Sequence, residues 1–123
     1  MFGAEKPKHC NPRRYAIPVV WAGGAVKAPR TVPTLCSQID LVPTLLAQIG
    51  ISHSEYTFAK NALDTTNVPF AFYSFNDGFG LITETDTVVV DAKSNHLLIG
   101  QPSHTERQAR AFVQRVMEII DSL

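Results

Sequence analysis

The hydrophobic pattern changes period several times along the chain. Residues 15–22 (YAIPVVWA) are a short continuous apolar run rich in β-branched and aromatic side chains, closed by Gly23-Gly24. That is the pattern of a strand buried on both faces. Pro18 has no N–H to give to a ladder, which places the strand at a sheet edge or the proline among its first residues. Residues 25–36 hold two prolines, Pro29 and Pro33, and read as a connection with a short extended piece. From residue 40 the spacing becomes helical. Leu41, Val42, Leu45, Leu46 and Ile49 form a wide apolar face, with Asp40 as N-cap and Pro43 in the first turn, where its missing N–H costs nothing. Gly50 is placed to end this helix in a left-handed cap, with Ile51 making the apolar contact beyond it.

Residues 52–68 are polar apart from a mixed segment at 58–63 and read as a surface loop. Strand-like runs follow at 69–75, 79–83 and 87–91, with a short one at 97–99; Asn76-Asp77-Gly78, Glu84-Thr85-Asp86 and Lys93-Ser94-Asn95 separate them. Such an antiparallel meander has one apolar face and needs a cover. A helix from about residue 104 to the end supplies it: Ser103 and Glu106 have capping-box spacing, and Ala109, Phe112, Val113, Val116, Ile119, Ile120 and Leu123 recur at helical intervals. The expected fold class is α/β, more narrowly α+β, in a single domain over 1–123. Residues 1–51 would supply a core strand and helix, and 69–123 the meander and its covering helix.

Composition agrees with one ordered domain: 123 residues, 45% hydrophobic and 18% charged. The net charge is zero but unevenly placed. Residues 1–36 carry six Lys/Arg against Glu5 alone, leaving five bases and ten acids for the remainder. A basic stretch of this kind can face a phosphate or sulfate ester, although most such runs are simply solvated. Its aromatic residues are Phe2, Tyr15 and Trp21, and two of these fall in or beside the expected strand. No stacking platform is left for nucleic acid, which is not expected as a partner. No apolar run approaches membrane-spanning length, and residues 1–10 lack the apolar stretch of a signal peptide.

Catalytic motifs are absent as motifs. Gly78-Phe79-Gly80 lacks the third glycine of a dinucleotide loop and leads into a strand rather than a helix. His9, His53, His96 and His104 stand at no metal-ligand spacing and read as surface histidines; Cys10 and Cys36 form no C-x-x-C, which leaves a single disulfide open. No G-x-S-x-G elbow marks a nucleophile.

Three segments in order resemble one family. YAIPVVWAGGAV (15–26) is similar to a strand of bacterial sulfatase-type proteins. CSQIDLVPTLLAQIGI (36–51) resembles that group's S-Q-x-D-x-x-P-T-L-L helix through Ser37, Gln38, Asp40, Pro43, Thr44, Leu45, Leu46 and Gly50. FAFYSFNDGFGLIT (70–83), with Lys60-Asn61 and the terminal helix, resembles its C-terminal subdomain. The likeness spans roughly residues 12–91. It points to the alkaline-phosphatase superfamily, among lipoteichoic-acid-synthase-like phosphoglycerol transferases and sulfatases.

The resemblance implies a truncated alkaline-phosphatase-like core strand and helix followed by the meander. In that family a Thr, Ser or Cys nucleophile works beside divalent metal (Mn, Zn or Ca) held by carboxylates and an Asp-His pair. Those residues would lie before the segment at 15–22. No Asp-His dipeptide occurs here, so no catalytic or metal-ligating residue carries over. The expected function is therefore a C-terminal, non-catalytic portion of such an enzyme, inactive alone, either as a fragment or as a truncated reading frame. A stand-alone binding or assembly module is the alternative.

On this resemblance the basic stretch with His9, Arg13 and Arg14 borders an anionic substrate in the intact enzyme. The parent would be membrane-anchored with an extracytoplasmic catalytic domain, which would suit a Cys10–Cys36 disulfide. The expected partners are the missing N-terminal half and, for the chain alone, a second copy in a two-fold dimer that buries residues 15–22 against its copy or against the 41–49 helix of the other chain.

Overall fold

A computed structural model describes residues 10–123. In chain order come a 3-10 turn at Pro12–Tyr15, a second 3-10 turn at Gln38–Asp40 running into α1 (Leu41–Gln48), strands β1 (Phe70–Phe75), β2 (Gly78–Thr83), β3 (Thr87–Asp91) and β4 (Leu97–Ile99), and α2 (His104–Asp121). The four strands form one antiparallel sheet in the order β1-β2-β3-β4. The fold is α+β, with the meander and its covering helix where the apolar periodicity puts them.

The core lies between the sheet and α2. Alternation along the strands sends Phe70 and Phe72, Phe79 and Leu81, and Val88 and Val90 to one face, where Ala109 and Val113 of α2 meet them. Phe112 stacks on Phe72 at 4.4 Å and meets Phe58 edge-on at 5.3 Å. The 52–68 loop is thus more than polar surface, since Phe58 covers the helix from outside. Ser103 caps α2 by accepting from Glu106 N–H (3.2 Å) and donates to the Asp86 carboxylate (2.9 Å). Glu106 itself turns to Arg110 rather than closing a capping box. Arg110 in turn holds the β3–β4 turn through the side chain and carbonyl of Asn95, which sits at φ 62°.

The opposite sheet face carries Tyr73, Phe75 and Val89. Gly80 lies directly across from Tyr73 and Gly78 from Phe75. A Cβ at Gly80 would fall 2.3 Å from the Tyr73 ring, and one at Gly78 2.2 Å from the Val90 carbonyl. Both positions are glycine because neighbouring rings and backbone fill the space a side chain would take.

The 15–22 run does not form the expected strand. Tyr15 closes a 3-10 turn, and residues 16–22 have no regular structure and are exposed, Val20 at 85% and Trp21 at 42%. The reason is the lack of a free edge to pair with. The outer edge of β1 is taken up by Ser37 and Lys60, β4 offers three residues, and Pro18 has no N–H to donate. α1 ends as its sequence suggests. Gly50 adopts φ 73°, and the Ile51 N–H reaches Leu46 O at 2.9 Å and the Gly50 N–H Ala47 O at 3.3 Å, the two bonds of a Schellman cap. Its expected apolar face is only partly covered: Leu41 and Leu46 are half-buried, Val42, Leu45 and Ile49 are exposed, and Pro43 and Thr44 face inward.

Candidate functional site

Among the described residues, a tightly bonded polar cluster is centred on Asp40, which is fully buried. Asp40 directly precedes α1, as its sequence suggests, but helical geometry already begins three residues before α1, at Gln38, so Asp40 is in the αR conformation and its side chain makes no capping bond to α1. Its carboxylate points back to the preceding turn and accepts from the Ser37 N–H at 2.7 Å. It also accepts from the Lys60 N–H at 2.8 Å and from the Lys60 ammonium at 2.6 Å. The Lys60 ammonium donates further to Phe70 O at 2.8 Å and lies 3.9 Å from the centre of the Phe70 ring. Ser37 Oγ accepts from the Phe72 N–H, and Thr44 Oγ1 donates to Asp40 O and accepts from the Ala62 N–H.

The Ser-x-x-Asp…Thr spacing therefore ties α1, the 60–62 loop and the edge of β1 into one junction. With the carboxylate oxygens and the ammonium engaged among neighbours, this junction positions elements and presents no reacting group. Burial raises the pKa of the neighbouring Cys36 thiol, Asp40 adds to the rise and Lys60 offsets part of it. The thiol is correspondingly a poor nucleophile. Cys10 and Cys36 are not joined by a disulfide. Cys10 lies under the far face of the sheet, its carbonyl accepting from the Tyr73 hydroxyl at 3.0 Å, while Cys36 sits beside the Asp40–Lys60 pair.

Of the three residues expected to border a substrate, His9 lies outside the described residues. Arg13 and Arg14 are exposed on the 3-10 turn, whose N-terminus Asn11 caps by accepting from the Arg13 N–H at 3.0 Å. Tyr15, the last residue of that turn, stacks on Tyr73 with centroids 4.5 Å apart. With Phe75, Asn76 and Asp77 it lines an open cleft of about 490 Å³. Burial holds the Tyr73 hydroxyl well above its ordinary pKa, which keeps it a neutral donor to Cys10 O. Asp77 pairs with Lys93 at 2.7 Å on the surface.

The structure thus brings Arg13 and Arg14 to a solvated turn beside an aromatic cleft. Among the described residues, no group of three or more His, Cys, Asp or Glu side chains is arranged to hold a metal ion. No helix among the described residues is long and apolar enough to cross a membrane.

No family model, curated protein or solved structure matches the chain.

Proposed function

We propose that this chain is a non-catalytic, C-terminal portion of a metal-dependent enzyme of the phosphoglycerol transferase, sulfatase or phosphatase kind, and that its role is to complete and rigidify a larger α/β layer. The observation that carries the reading is the pairing of a tightly fastened α1 with an uncovered apolar surface. The Asp40–Lys60 junction fixes α1 and the adjoining segment to the meander, yet the outer face of α1 and residues 17–21 lie open to water. A helix fixed this firmly while leaving Val42, Leu45 and Ile49 exposed is built to receive another layer. The family resemblance of the segment at 36–51 supports the same assignment, and Arg13 and Arg14 would border the anionic substrate of the completed enzyme.

In the absence of the remaining core the exposed run seeks another cover, and the chain self-associates, most simply as a two-fold dimer. The alternative role, a stand-alone binding or assembly module, uses the same exposed surface.

The purified chain is expected to give no turnover of aryl phosphate or aryl sulfate above the buffer rate in the presence of Mn, Zn or Ca, because among its described residues no group of three or more His, Cys, Asp or Glu is arranged to hold the metal on which that chemistry depends. Metal-dependent hydrolysis that co-purifies with the chain through successive columns would overturn the assignment.

A further inference from the structure

Along α2, Ala109, Val113, Met117, Ile120 and Leu123 recur at three- and four-residue spacing and so share one stripe. Ala109 and Val113 pack in the core, but Met117, Ile120 and Leu123 are exposed, the last completely. The helix therefore carries its core-facing stripe past the end of the sheet. Its charges there also oppose the helix dipole: the last turn contains no basic residue, and Glu118 and Asp121 stand at the negative end. Among the described residues, Glu118 pairs with Arg115 of the previous turn and with Gln114. A complementary surface would be apolar and flanked by positive charge.

Such a surface exists on the same molecule. Ile17, Val19, Val20 and Trp21 are exposed, with Arg13 and Arg14 before them and Lys27 and Arg30 after. Residues 10–36 contain no acid, and among the described residues none of these four bases takes part in a salt bridge. The segment cannot readily serve its own helix. Tyr15 anchors its start on Tyr73, on the sheet face opposite the one that α2 covers.

We infer that, in the self-associated form, residues 13–30 of one chain lie along the C-terminal half of α2 of a second copy. Val20 and Trp21 would cover Met117 and Ile120, and the flanking arginines would meet Glu118 and Asp121. A two-fold axis makes the exchange reciprocal. This rests on the association proposed above and names the surface it uses.

The test is charge reversal followed by light scattering over a dilution series. Arg13→Glu with Arg14→Glu, and separately Glu118→Lys with Asp121→Lys, each weaken the dimer by about tenfold or more, and mixing the two variants restores a heterodimer. All four side chains are exposed, so the fold tolerates the changes. A dimer indifferent to both reversals overturns this docking surface while leaving self-association standing. A wild-type chain that stays monomeric at high concentration overturns both.

Discussion

Asp40→Ala is expected to destabilise the chain by about 3–5 kcal/mol, the usual cost of leaving one member of a buried ion pair uncompensated. The Lys60 ammonium, with its side chain only 9% exposed, would keep a single acceptor in Phe70 O. The N–H groups of Ser37 and Lys60 would lose their acceptor as well, at about 1–3 kcal/mol for each buried donor left without one. Removing both charges in the double variant Asp40→Leu/Lys60→Met does not recover wild-type stability, because those two backbone donors stay orphaned. Urea unfolding checks this: the midpoint falls sharply at unchanged slope. A midpoint within experimental error of wild type would mean that the junction does not hold α1 to the sheet.

Leu81→Ala is expected to cost about 2–5 kcal/mol, the range for deleting a buried leucine side chain from a packed core. Leu81 is 4% exposed at the centre of the sheet face beneath α2, in one cluster with Phe79, Val88, Val90 and Ala109. Val20→Ala in the same assay changes the stability of the monomer little, since Val20 is almost fully hydrated. Equal losses at the two positions would contradict the division into a packed meander and an uncovered N-terminal segment.

That division also explains which parts of the structure were legible in the sequence. The strands at 70–75, 78–83, 87–91 and 97–99 and the helix from His104 were readable because each is satisfied by near neighbours. A hairpin partner or an amphipathic stripe is encoded within a few residues. The Gly50 cap was readable for the same reason.

Residues 15–22 carry a strand's composition, but strand formation depends on an edge to pair with, and local pattern says nothing of whether one is available. Asp40 read as a helix cap because Asp is suited to that position. Its place as a buried acceptor for Lys60 depends on a partner 20 residues away, and periodicity carries no such signal. Its one trace in the sequence is Lys60-Asn61, within the mixed segment at 58–63 of an otherwise polar loop. The placing of His9, Arg13 and Arg14 beside a substrate rests on their charge and on the family resemblance. Arg13 and Arg14 sit on a capped, solvated turn, and their chemistry waits on what covers the segment that follows them.

The chain has a single tryptophan, and it lies in the uncovered run, so acrylamide quenching of Trp21 fluorescence across a dilution series tests the central claim directly. The account predicts strong quenching in dilute solution, where residues 17–21 face water, and progressive shielding as concentration rises and the apolar surface finds its cover. A Trp21 that is shielded at every concentration in a chain that remains monomeric would contradict it, because the N-terminal segment would then be packed within its own core.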